Sequence, residues 1–177
     1  PSIKYYVALQ ESIAMSAASF YAQAKGLTSV VNLHVAPGLG NAIGMAFGAL
    51  KANSPVLITA GQQDTRMRLR EPLLSYDLVE MAKPVVKWSV EPRTADEMGP
   101  ILSRAFKIAM TPPRGPVFVS LPVDVMSTET LVLAANNKGQ LIPPSADLDQ
   151  IEGLADRLSN ANAPAIIAGD DVTVYDG

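Results

Sequence analysis

Short apolar runs recur between stretches of helical periodicity along most of this chain, and that alternation leaves few folds open. Ser29–Leu33 (Ser-Val-Val-Asn-Leu), residues 55–60 (Pro-Val-Leu-Ile-Thr-Ala) and residues 116–121 are brief and rich in β-branched side chains, as buried strands are. Residues 5–9, 84–90 and 164–168 read as further strands. Between these runs the pattern predicts helices over residues 11–24, 41–52 and 73–81. Gly26 closes the first of them, since glycine enters the left-handed region without a Cβ clash. Thr94-Ala95-Asp96-Glu97 reads as a capping box opening another helix that runs to about residue 110. Parallel neighbours need a crossover of a dozen residues or more, usually a helix. The expected class is therefore α/β, a parallel sheet flanked by helices.

The character changes after residue 126. Asn136-Asn137-Lys138-Gly139 and Pro143-Pro144-Ser145 look like linker. Beyond them Leu148, Ile151, Leu154, Ala155 and Leu158 fall at helical spacing. The expected organisation is a domain over 1–126, N-terminally incomplete, a linker over 127–146, and the start of a second α/β domain over 147–177. Both ends read as cuts within a longer chain, because each lies beside an expected strand. Charge and residue usage exclude several functions. Only 18% of the 177 residues are charged, against roughly 25% in an average soluble domain. Lys and Arg total 14 against 17 Asp and Glu, with no basic patch, so no nucleic acid is expected as a partner. No apolar run approaches the ~20 residues of a membrane span. With no cysteine, thiolate catalysis and disulfides are excluded. The single histidine, His34, excludes a multi-histidine metal centre. The lack of cysteine points to a cytoplasmic location.

In an open parallel sheet, ligands bind outside the carboxyl ends of the strands. On the expected strands, those ends deliver Gln10 and Glu11, then His34, then Gly61, Gln62 and Gln63. Pro37-Gly38-Leu39-Gly40-Asn41 reads as a tight turn opening a helix. Each feature also has a purely structural explanation. Glu11 favours a helix N-terminus through the dipole, and His34 can be a hydrogen-bonded structural histidine. Gly38 and Gly40 either make a turn or offer backbone N–H groups to a phosphate. They do not complete G-x-G-x-x-G, because Gly44 falls one position late.

Taken together, Ala8-Leu9-Gln10-Glu11, the segment Val31-Asn32-Leu33-His34-Val35-Ala36-Pro37-Gly38-Leu39-Gly40-Asn41, and Ile58-Thr59-Ala60-Gly61-Gln62-Gln63 resemble the pyrimidine-binding domain of thiamine diphosphate-dependent decarboxylases. The Asn-Leu-His segment is most similar to the benzoylformate decarboxylase branch. Pro84-Val85-Val86-Lys87-Trp88-Ser89 and Arg114-Gly115-Pro116-Val117-Phe118-Val119-Ser120-Leu121-Pro122 extend the resemblance. It implies that Glu11 hydrogen-bonds N1′ of the cofactor's aminopyrimidine and controls its protonation, in an apolar setting made by Leu9, Ile13, Ala14 and Met15 that raises the carboxyl pKa. It implies that His34 transfers a proton or polarises the carbonyl near the substrate. Asn41 and Gln62 are implied as neighbours of the pyrimidine.

The resemblance further implies a small-molecule 2-oxo acid substrate and non-oxidative decarboxylation. The cofactors it implies are thiamine diphosphate and Mg²⁺, the metal held by a domain absent from this chain. A homo-oligomer is implied, at least a dimer and by family pattern a tetramer, with the isolated chain inactive. Three other functions compete with this one. The first is an acetolactate synthase-like carboligase. The second is a non-catalytic phosphate- or nucleotide-binding module using the Gly38–Asn41 turn, and the third a regulatory member that keeps the fold without chemistry.

Overall fold

The apolar runs pair as the alternation requires. In the computed structural model, which describes residues 3–132, 146–169 and 172, the strands are β1 (Ser29–Leu33), β2 (Val56–Gln62), β3 (Ser89–Val90) and β4 (Val117–Pro122). They form one parallel sheet in the order β1-β2-β4-β3. β2 and β4 are buried along nearly their whole length, which is why they read as continuous apolar runs. β1 alternates instead: Val31 and Leu33 enter the core while Val30 stays 58% exposed.

Helices α1 (Glu11–Lys25) and α2 (Val35–Lys51) share one core with the sheet. Met15, Ser19 and Ala22 of α1 and Leu39, Ala42, Ala46 and Ala49 of α2 are buried at helical spacing. They meet Val56, Ile58, Ala60 and Phe118, together with Leu78 and Ala82 of α3 (Leu78–Ala82). Helix α4 (Ala95–Met110) packs Ala105 and Ala109 on Leu57, Val117 and Val119, the alternate side chains of the same strands. The short α5 (Val123–Met126) follows β4. Gly26 ends α1 with φ 64°, as the sequence predicts.

Several boundaries differ from expectation, each for a local reason. Helix α2 begins at Val35, six residues before the predicted start. Proline is tolerated in a first turn because its missing N–H would have no partner there, so the Pro37-Gly38 pair is helical. Helix α3 starts only at Leu78, where Asp77 Oδ1 accepts from the Glu80 N–H at 2.9 Å. The loop after β2 contains a 3₁₀ turn, Thr65–Arg70. The predicted strand over 84–90 shrinks to Ser89–Val90, because Pro84 lies in a 3₁₀ turn, Lys83–Val85, and has no N–H for a ladder. Thr94 caps α4 without a side-chain bond, and Glu97 Oε2 accepts from the N–H of Arg93, one residue before the cap, so neither bond of the expected box forms.

Residues 5–9 are not a strand. No ladder reaches them, and Tyr5, Tyr6 and Val7 are about four-fifths exposed, with Leu9 fully so. An apolar run becomes a strand only when a neighbour takes its backbone groups, and β1 bonds only to β2 among the described residues. Residues 164–168 likewise form no ladder, with Ile166 and Ile167 exposed.

The chain divides into two units, Pro1–Gly139 and Gln140–Gly177. In the second, α6 (Leu148–Asn160) is capped by Asp147 and carries the expected apolar spacing, yet has no buried residue. Of the expected linker, residues 133–145 lie outside the described residues.

Candidate functional site

Because the sheet is parallel, every strand delivers its last residue to one rim. Gln10 Oε1 accepts from the N–H groups of Ser12 at 2.8 Å and Ile13 at 3.2 Å. That bond makes Gln10 the cap of α1, a structural role, and sets Glu11 as the first helical residue. At the end of β1, His34 is the cap of α2 through its backbone alone, leaving the imidazole without a capping bond and the residue exposed.

Packing of α1 beside α2 brings distant residues together. Asn41 Nδ2 donates to Glu11 Oε2 at 3.1 Å. One helical turn before Asn41, Gly38 faces the same carboxylate: a Cβ there would stand 3.1 Å from Glu11 Oε1 and 3.3 Å from His34 Cβ. Glu11, His34 and Asn41 thus gather around the bare backbone of Gly38. Beside them Val35 is held at φ 43°, a left-handed conformation that a β-branched residue rarely adopts. Val35 is buried, and a Cβ at Gly61 would lie 3.6 Å from its Cγ1. The strained turn is therefore wedged against the end of β2, as strain of roughly 1–3 kcal/mol must be.

The Glu11 carboxyl is held below its ordinary value, first by the Asn41 bond and then by its own backbone N–H. Slight burial opposes this, and the nearby His34 reinforces it. The expected apolar setting is absent. Leu9 and Ile13 are exposed and Met15 turns into the core, so nothing here desolvates the carboxylate enough to raise its pKa.

Gln62 is placed differently. It is buried, its Nε2 donates to the Tyr76 carbonyl at 2.8 Å, and its Oε1 accepts from the Gln63 N–H at 2.8 Å. Both ends of the amide hold the 62–76 segment, and no hydrogen bond joins it to Glu11, His34 or Asn41. The proposed phosphate turn does not exist either. Gly38 donates its N–H to the His34 carbonyl at 2.8 Å inside the helix, and a Cβ at Gly40 would meet Met81 of α3 at 3.2 Å. A phosphate-binding module built on those glycines is thereby overturned.

The same rim carries a second cluster that the sequence reading missed. Ser120, fully buried on β4, donates to Glu91 Oε2 at 2.6 Å, and Arg68 pairs with the other oxygen of Glu91. Asp124 accepts from the Thr65 N–H at 3.0 Å and from the Thr65 hydroxyl. Burial raises the Asp124 pKa, but the Thr65 bonds outweigh it and the net shift is downward. Asp64, paired with Arg66, is lowered to about 2. These bonds fasten the segment after β2 across β3 and β4, beside an open cleft of about 810 Å³ lined by Gln62, Arg68, Tyr76, Asp77, Glu91 and Arg93. Among the described residues, no group of three His, Asp or Glu side chains is placed to hold a metal ion. No helix of the described residues is long and apolar enough to cross a membrane.

Comparison with known proteins sets this geometry in context. Residues 1–81 match the family model described as thiamine pyrophosphate enzyme, N-terminal TPP binding domain. The chain is 37% identical over 175 residues to a benzoylformate decarboxylase of Pseudomonas aeruginosa, covering 96% of this chain and 33% of that protein. The crystal structure of benzoylformate decarboxylase from Polynucleobacter necessarius superposes with a TM-score of 0.85 at 36% identity, covering 96% of this chain and 32% of that one. The thiamine diphosphate-dependent 4-hydroxybenzoylformate decarboxylase of Rhodococcus jostii RHA1 gives 0.83 at 33% identity, over 94% and 32%. The chain spans about a third of the length of these relatives.

Proposed function

The chain belongs to the thiamine pyrophosphate enzymes through their N-terminal TPP binding domain, and from that membership we propose that it supplies the pyrimidine side of the cofactor site in a benzoylformate-type 2-oxo acid decarboxylase. The observation that carries this reading is the gathering of Glu11, His34 and Asn41 around Gly38. The residues suit an aminopyrimidine. They offer a carboxylate steadied by an amide on Oε2, and no Lys or Arg pairs with it among the described residues. They do not offer a cradle for a diphosphate or a Mg²⁺ ion, which we assign to another domain of the parent protein.

When bound, thiamine diphosphate supplies an acidic ring carbon and an electron sink for the carbon–carbon bond that breaks. Glu11 holds and releases a proton at its carboxylate against the pyrimidine, while Asn41 fixes the orientation of that carboxylate and forms part of the wall around the ring. Closure of another domain or subunit over the rim would desolvate Glu11 and raise its pKa toward the range where it exchanges protons usefully. His34, whose ring nitrogens can donate or accept a proton, moves one to or from the substrate or polarises its carbonyl. Gln62 acts at one remove, steadying the turn at Tyr76. The site is completed by a second copy of the protein, so the working state is a homo-oligomer, at least a dimer, in the cytoplasm.

The test is turnover of phenylglyoxylate and pyruvate by the full-length parent protein with thiamine diphosphate and Mg²⁺. Carbon dioxide release from phenylglyoxylate, cut by about 10²–10⁴-fold in Glu11→Gln, is the expected result. Strong preference for pyruvate with carbon–carbon bond formation would select the carboligase reading. Cofactor-independent behaviour, with Glu11→Gln silent, would overturn both.

A further inference from the structure

Helix α2 contains glycines that the local backbone does not require. Gly26 is the one described glycine with positive φ, so Gly38, Gly40, Gly44 and Gly48 all adopt conformations open to alanine, the better helix former. Their surroundings differ sharply. At Gly44 and Gly48 a Cβ would meet nothing within 4 Å. At Gly38 it would stand 3.1 Å from Glu11 Oε1, 3.4 Å from Glu11 Cγ and 3.3 Å from His34 Cβ. Two of its three nearest atoms belong to the Glu11 side chain, and the nearest is an oxygen of its carboxylate.

We propose that Gly38 is a positioning residue whose missing side chain is the seat of the Glu11 carboxylate, keeping it against the Asn41 amide and beside His34. The inference rests on the reading of Glu11 as the proton-handling group, but the geometry it describes exists without cofactor. Asn41 holds Oε2 from one turn further along α2, so the carboxylate is gripped on one oxygen and given room on the other. The left-handed Val35, three residues before Gly38, sets where this helix begins and hence where both residues face. A methyl at position 38 would displace the carboxylate by a few tenths of an ångström, away from the amide.

Two measurements on this 177-residue chain test the proposal. The first is the Glu11 carboxyl titration, followed by carbon NMR in Gly38→Ala, Gly44→Ala and Gly48→Ala. Of the titratable groups, His34 is the one that acts electrostatically on Glu11, and its titration is followed alongside. Gly38→Ala should move the Glu11 midpoint upward as the Asn41 bond loosens, and the other two should leave it in place. An unmoved midpoint in Gly38→Ala, or equal movement in all three, overturns the proposal.

The second is a double-mutant cycle in denaturant. Gly38→Ala should be less favourable than Gly48→Ala in the native background, and the gap should narrow when Glu11→Ala is also present, leaving only the part due to His34 Cβ. A gap undiminished without the carboxylate assigns the glycine to helix packing alone and overturns the seat. If Gly38→Ala does not fold, recovery of folding in the Glu11→Ala background supports the seat and continued failure overturns it. In the full-length parent, Gly38→Ala should lower kcat by about 10²-fold with the substrate KM little changed. Failure of the decarboxylase reading would remove only this last measurement.

Discussion

Two stretches of the same rim handle charge in opposite ways. Along β3, β4 and the segment after β2, charged groups are occupied: Arg68 pairs with Glu91 and Asp64 with Arg66, while Asp124 accepts from the Thr65 N–H and hydroxyl. Glu91 also takes a proton donor from the fully buried Ser120. Along α1 and α2, Glu11 has an amide on one oxygen and bare backbone beside the other, with an exposed imidazole nearby. The first stretch spends its side chains on holding a loop; the second leaves a carboxylate and an imidazole available to something outside the chain. His34 follows the end of β1 while Glu11 opens α1 with no strand before it among the described residues, so the partners of each charge, more than a place at a strand end, decide which part of the rim is used.

The strongest way to break this contrast is at Glu11 itself. Glu11→Gln in the full-length parent should reduce turnover by about 10²–10⁴-fold, the span of general acid–base catalysis, while leaving the unfolding midpoint of the chain nearly unchanged. A large loss of stability would place Glu11 with the paired charges. Next in size is Glu91→Ala, which strips the buried Ser120 hydroxyl of its acceptor and should destabilise by about 1–3 kcal/mol in denaturant titrations. The same change in a Ser120→Ala background should cost distinctly less, and equal costs would mean that the hydroxyl is not the reason.

A smaller effect of opposite sign is expected at Gly48→Ala. Open space there lets the helix gain about 0.8–1 kcal/mol of propensity, measured as a raised midpoint. The smallest effect concerns pH. The Glu11 pKa is lowered, so its charged form is favoured by folding; that contribution is present above the unfolded value and lost as pH falls through the folded one. Asn41→Ala removes the largest cause and should move the titration midpoint upward. A midpoint that stays put would show that the backbone N–H, not the amide, governs this carboxylate.

Much of this molecule was legible before its coordinates. The β-branched runs gave β1, β2 and β4 nearly to the residue, β2 and β4 because a parallel strand buried on both faces is largely apolar, and β1 because its inward residues alternate with exposed ones. Glu11, His34 and Asn41 were singled out from the carboxyl-end rule and the family resemblance, and the structure brings them together. Residues 5–9 show the limit of pattern. Their composition suits a strand, but a strand exists only where another supplies its hydrogen bonds. Pro37-Gly38 shows another, since the same dipeptide serves a turn or a helical first turn.

The sequence by itself determined the layered α/β plan, the order of β1, β2 and β4 along the chain, and that His34 and Gln62 lie at strand ends, because these follow from local periodicity. Only the tertiary structure decided that Gln62 turns to Tyr76, that Glu91 serves Ser120, and that Gly38 lies under Glu11. Glu11 and Asn41 are 30 residues apart, and Glu91 and Ser120 are 29 apart. The distance between such pairs is set by how helices and strands pack, which no spacing along the chain encodes.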